Sequence, residues 1–375
     1  MAFLLPSSWI ETFLQPGRLS PLRSANDDSS LDFRPQDLTI LEIILVIYVF
    51  VGRQILYLIG FGNRFEIKTG PGKDEEFYEL PELILALPFQ LTEADLKQYA
   101  AALNNAGMST GTGSALSLSS VDVPLDSQAQ TCLVLSAFSE PAMLLLLSHH
   151  KSPVRPLGAV NVRNKFEVLR PDLCSAEVLT TARFVVVAAL ERQARKVKRG
   201  LEIDILVEIA QYEDPEVVIY RQVFTMLQFM KFKTKTVTAR AGLSAMSTED
   251  LSKRGVWQSF KMSMKAPRLW AKMCKDYNPI HISSLAAKVF GFRSTIAHGN
   301  HAFAIALAQL EKDHGSLFAT KNEPLSMEVH FRKPIVLPAT LGAMTIRKKE
   351  NSCDLYIEQD GEVCVSASMS PAGER

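Results

Sequence analysis

The sequence predicts an α+β chain of two successive units, each a curved antiparallel sheet wrapped around one buried helix. Three observations carry this expectation. Residues 143–147 and 302–307 are apolar on every side, the mark of a helix enclosed by protein. Each is followed by long, β-branched, mostly alternating segments, as in an antiparallel meander. The order of helix, buried helix and meander occurs twice.

In the first half, residues 91–103 have helical spacing and a capping-box-like start from Thr92 to Asp95. A Ser/Thr/Gly-rich run at 108–120 reads as a loop. A buried helix is expected to open at Ser139 as its cap, with Pro141 in the first turn, and to end at His149-His150. Strands are expected at 159–169, 177–188, 201–210 and 216–228, and the basic run 192–199 as a solvated turn or a phosphate contact. The second half predicts a strand at 256–262, a helix at 267–274 and a buried helix at 296–310. Its meander is expected at 325–335, 340–348, 353–359 and 362–369. Pro156-Leu157 and Pro324-Leu325 each open a strand run, a short internal echo. The expected domains are an N-terminal region at 1–79, a first unit at 80–238 and a second at 239–375, with 231–240 as linker.

Composition narrows the function classes. The chain has 375 residues, with 41 Lys and Arg against 40 Asp and Glu, so no basic excess favours nucleic acid. A 47% hydrophobic and 22% charged content excludes a mainly disordered chain. Five dispersed cysteines without a CxxC pair exclude a disulfide framework, and no His, Cys and Asp grouping has metal-ligand spacing, so no metal is expected.

Residues 38–62 are almost continuously apolar, broken by Glu42, Arg53 and Gln54. As a helix they would rise about 37 Å, enough to cross a hydrocarbon core of about 30 Å. Three dispositions are open: a membrane span or hairpin, a helix in the plane of the interface, or a helix packed on the protein. Arg64, Lys68 and Lys73 after the segment, against Arg34 and Asp37 before it, favour a membrane-associated protein with its main body on the cytoplasmic side. The last residues, 371–375, carry no peroxisomal tripeptide or retention signal.

The chemistry-bearing residues lie in the second half, as Asp276-Tyr277-Asn278-Pro279-Ile280-His281 and Ile296-Ala297-His298-Gly299-Asn300. Asn278-Pro279 stops a helix, and Asn278 can bond its own turn. A carboxylate and an imidazole on either side of that rigid turn can hold one water between them as acid and base. Gly299 falls in the opening turn of a helix, where unpaired N–H groups suit a developing oxyanion. His301, on the same helix, reads as a packing residue.

The pair Asp276-x-Asn278-Pro279-x-His281 and Ile296-Ala297-His298-Gly299 resembles the motifs of the MaoC-like, (R)-specific type 2 enoyl-CoA hydratase/dehydratase family. The segment from Glu328 through Phe331 to Pro334 also resembles that family's strand after the central helix. The resemblance implies a double hot-dog fold, with chemistry in the second unit and the acyl chain held by the first. It implies catalytic roles for Asp276, His281 and Gly299, and substrate contacts from Asn278, His298, Asn300 and Phe331. The implied activity is a hydro-lyase on trans-2-enoyl and (R)-3-hydroxyacyl thioesters of coenzyme A or acyl carrier protein. No cofactor is implied; a homodimer and membrane attachment through 38–62 are the other expected associations. A hot-dog thioesterase and a tethered acyl-thioester binding protein are the alternatives. The chain departs from the family with Cys274-Lys275 for Ser-Gly, Asn300 for Met and Trp270 for Tyr.

Overall fold

A computed structural model describes residues 34–59, 66–69, 76–106, 127–149, 151–230, 256–314, 323–349 and 352–372. Its first elements are α1 (Ile40–Leu58), β1 (Glu66–Thr69), β2 (Glu76–Glu79), β3 (Ile84–Phe89), α2 (Glu93–Ala106), α3 (Gln128–Ser148) and β4 (Ala159–Val168). Then come α4 (Ala176–Thr181), β5 (Phe184–Val197), β6 (Gly200–Gln211), β7 (Val218–Phe229), β8 (Val256–Met262) and α5 (Ala266–Cys274). The chain ends with α6 (Pro279–Ile282), α7 (Ser284–Val289), α8 (Gly299–His314), β9 (Leu325–Phe331), β10 (Ala339–Lys349), β11 (Ser352–Gln359) and β12 (Glu362–Pro371). Two compact units emerge: 1–89 with 139–164 and 183–244, and 90–138 with 165–182 and 245–375.

In the first unit the sheet order is β1-β2-β5-β6-β7-β4. The 14-residue β5 serves two short neighbours, β3 along 184–189 and β2 along 193–195. Between these stretches its pairing with β6 shifts register from Leu190 to Ala194, a bulge that bends the strand. Helix α1 opens with a capping box, Thr39 and Glu42 each bonding the other's backbone N–H. One seam of α1, Ile43, Val46 and Phe50, is buried. Arg53 extends that seam and donates to the carbonyl oxygens of Leu147, Ser148 and His149. These close the C-terminal end of α3, whose last carbonyls have no partner within the helix. Arg155 stacks over the ring of Tyr57, 3.4 Å from its centroid.

The second unit has the antiparallel order β9-β12-β11-β10-β8. Helix α8 packs on β8 and on α2, and α2 also packs on α5. Ala302, Ala304 and Ala306 of α8 are wholly buried, and their small side chains let neighbours close in. The expected capping box is present, with Thr92 and Asp95 satisfying each other's N–H groups before α2.

Three sequence expectations are corrected. The buried helix starts at Gln128, not Ser139; the Ser127 hydroxyl accepts from the Gln130 N–H, and 128–138 is as buried as the rest. Pro141 therefore lies inside α3, its missing N–H outweighed by full enclosure of an apolar helix. The expected strand at 177–188 is α4 followed by β5, because the Ser175 hydroxyl caps the Val178 N–H and starts a turn of helix. Most of the basic run 192–199 lies within β5, where Arg195 pairs with Glu202 and Asp204 of β6. The linker expected at 231–240 lies outside the described residues. All five cysteines are buried, and none forms a disulfide.

Candidate active site

Helix α5 ends at Cys274, and Lys275 turns the chain with φ of 56°, the left-handed region. That conformation favours glycine, the residue the resembled family carries there. Asp276 follows, its Oδ1 accepting the Asn278 N–H at 3.0 Å. Asn278 in turn caps α6, its Oδ1 accepting from the Ile280 N–H, and Pro279 occupies the first helical position. Asn278 thus builds the turn that presents Asp276 and His281.

The second strand of the site, 296–299, is tied to the first by three bonds. The Ile296 N–H donates to the Ile280 carbonyl at 3.1 Å. His281 Nδ1 lies 2.8 Å from the Ile296 carbonyl oxygen, and His298 Nε2 lies 3.0 Å from that of Asp276. A carbonyl only accepts, so His281 carries its proton on Nδ1 and His298 on Nε2. His281 Nε2, the other ring nitrogen, lies 3.8 Å from Asp276 Oδ2. His298 Nε2 is 3.6 Å from the same oxygen. The two imidazoles stack at 3.9 Å between centroids. Side-chain exposure falls from 24% at Asp276 to 12% at His281 and 6% at His298, so the carboxylate and His281 retain access while His298 backs them. Burial, and then the neighbouring His281, hold His298 well below the usual imidazole range, so it stands neutral.

Gly299 is the first residue of α8, and an added Cβ would run into the Phe331 ring at the end of β9. Phe331 and Gly299 thus touch, and only glycine allows that approach. Asn300 and His301 turn elsewhere. The Asn300 amide donates to the Ser136 hydroxyl at 3.4 Å, and His301 Nε2 bonds the Ala102 carbonyl at 3.1 Å. His301 also stacks on Trp270, 4.9 Å between centroids, and burial pushes its pKa down to about 4. Tyr99, tilted 55° against Trp270 and bonded to Gln130, was not singled out from sequence. Its partners lie over 30 residues away, so no local pattern marks it.

Asp276, His281 and His298 each offer a metal-ligand atom, all within 4.8 Å of one another, a grouping that linear spacing hides. The rings are only 27° from parallel, so their in-plane lone pairs run in separate planes and do not converge on one point. The His298 Nε2 proton is also committed to the Asp276 carbonyl. The cluster therefore does not offer three lone pairs converging on one point.

Residues 253–367 match the family described as MaoC like domain. The chain is 27% identical over 210 residues to 3-hydroxyacyl-thioester dehydratase X of Mycobacterium tuberculosis, an alignment covering 55% of this chain and 66% of that protein. Among solved structures, HtdX of Mycobacterium tuberculosis superposes with a TM-score of 0.54 at 23% identity, over 77% of this chain and 99% of that one. A MaoC-like dehydratase from Phytophthora capsici gives 0.53 at 15% identity, over 78% and 97%. Peroxisomal multifunctional enzyme type 2 of Drosophila melanogaster gives 0.51 at 16%, over 87% of this chain and 52% of that one. The fold is α+β and double hot-dog, and the chain carries, at residues 253–367, a MaoC-like dehydratase domain homologous to the mycobacterial enzyme.

Proposed function

We propose that the protein is a hydro-lyase that interconverts trans-2-enoyl and (R)-3-hydroxyacyl thioesters by syn addition and elimination of water. The observation that carries this reading is the 3.8 Å separation of Asp276 Oδ2 and His281 Nε2, two acceptors at the mouth of one turn. A water at about 2.8 Å from each would subtend about 85° between them, an arrangement in which both of its O–H bonds point at acceptors. The Nδ1 bond to Ile296 holds the His281 ring in that orientation.

In the hydration direction, one O–H bond of the water breaks. The hydroxyl bonds to C3 of the enoyl thioester, and the proton passes to the Asp276–His281 pair. The electron pair of the C2–C3 double bond moves towards the thioester oxygen, where the Gly299 N–H at the positive end of α8 would stabilise the charge. The pair then returns a proton to C2 on the same face, so no cofactor beyond the thioester carrier is needed. Phe331, packed on Gly299, would bound the thioester pocket. The proposal keeps chemistry in residues 239–375 and gives 80–238 the acyl chain, with acyl-CoA or an acyl carrier protein as the carrier, a homodimer as the assembly and residues 38–62 as a membrane attachment. The mycobacterial relative's name, 3-hydroxyacyl-thioester dehydratase, supports the substrate class.

The test is hydration of enoyl-CoAs of several chain lengths by the purified protein. Asp276→Asn and His281→Ala should each abolish product while leaving the fold unchanged by circular dichroism. Full activity in either variant overturns the mechanism. Free thiol release without a 3-hydroxyacyl product points to thioester hydrolysis instead.

A further inference from the structure

The polarity of α1 is inverted for a helix on a soluble body. Its polar side chains Arg53 and Gln54 are partly covered, with Arg53 fixed to the carbonyls that end α3, whereas the face turned outward is aliphatic apart from Tyr48. Ile40, Leu41, Ile44, Tyr48, Ile55 and Leu58 are all more than half exposed, Leu41 at 76% and Leu58 at 71%. A monomer surface seldom leaves so long an apolar strip in water.

The structure constrains what covers it. The buried seam Ile43, Val46 and Phe50, continued by Arg53, lies along much of the helix, so α1 is held sideways on its own unit. A helix held this way cannot also be ringed by lipid, as a span must be. At 100° per residue, the exposed positions from Ile40 to Leu56 fan over about 160° of the circumference. A second helix would cover a narrower seam of roughly 100°. A lipid surface covers any width, and an aliphatic strip whose one polar atom is a tyrosine hydroxyl suits its interface. We infer that α1 is an in-plane membrane helix: it lies along the lipid surface, outward face among the acyl chains, inward face and Arg53 locked to the protein. This narrows the membrane attachment proposed above to one geometry and does not depend on the hydration chemistry.

The test uses the full chain with phosphatidylcholine vesicles. The protein should float with the vesicles, and Ile44→Asp combined with Ile55→Asp should cut the bound fraction at least tenfold, with unchanged circular dichroism and enoyl-CoA hydration. Spin labels on Leu41→Cys, Tyr48→Cys and Ile55→Cys, seven residues apart on one face, should report equal shallow depths; the native cysteines are buried and stay unlabelled. Depth peaking at position 48, with 41 and 55 shallower, would show a span and overturn the inference. So would failure to bind vesicles, whether the chain is monomeric or forms a dimer that the double Asp variant dissolves. A native chain that floats but shows no enoyl-CoA hydration would count against the enzymatic reading alone.

Discussion

Gly299→Ala isolates the proposed oxyanion donor from the acid–base pair, because it leaves Asp276 and His281 untouched. The added methyl would occupy the volume of the Phe331 ring edge, not a gap beside it. Either the ring turns away or the start of α8 shifts, and Phe331 sits at the end of a paired strand, opposite Val365, with little freedom to retreat. Overpacking of this kind costs about 1–3 kcal/mol of stability. A shift of the helix start by an ångström or so removes the Gly299 N–H from the reacting oxygen, and losing one such donor lowers kcat by about 10²–10³, or about 2.7–4 kcal/mol. The assay is steady-state hydration followed by loss of the conjugated enoyl absorbance, with kcat and KM separated. Phe331→Ala removes the obstacle, so the double variant should recover most of the kcat lost by Gly299→Ala relative to the Phe331→Ala single variant, a coupling read from the double-mutant cycle. Unchanged kcat in Gly299→Ala, or no coupling with Phe331, refutes the reasoning.

Two further predictions concern the frame of the site. Lys275→Gly relieves a left-handed backbone conformation that costs an L-residue about 1–2 kcal/mol, part of it offset by the entropy of glycine in the unfolded chain. A net gain of about 0.5–1 kcal/mol in urea unfolding is expected. His301 has its pKa depressed from 6.5 to about 4 by burial, so the unfolded chain binds the proton more readily. The stabilisation is complete above about pH 6.5 and is lost as pH falls towards 4, by about 3 kcal/mol in all. Urea titrations across that window should show this slope added to the one His298 contributes, and His301→Leu should remove only the His301 share.

The motif turn was the most legible part of the site, since Asn278-Pro279 encodes its own geometry and Asp276 and His281 lie five residues apart. Strand positions in the second half were similarly open to reading, because their apolar runs are set off by Pro, Asn and Gly turn residues. What stayed hidden depends on contacts distant in sequence. The true start of α3 rests on Ser127 and on enclosure of 128–138, which no local pattern distinguishes from a loop followed by a Pro-started helix. The α4 turn was masked because Val178 and Thr180 favour strands while one Ser175 hydroxyl decides otherwise. The approach of His298 to Asp276 joins residues 22 apart through a backbone carbonyl, and backbone carbonyls leave no trace in a sequence.

That joining has a consequence for how the enzyme can diversify. The bonds between 276–281 and 296–298 close the base of an excursion through α7, as a clasp closes a loop of ribbon. Within it Leu285, Val289 and Phe290 stand out towards solvent. Length and sequence in the ribbon can drift without disturbing the clasp, so that surface can change while the proposed proton-handling pair stays as it is.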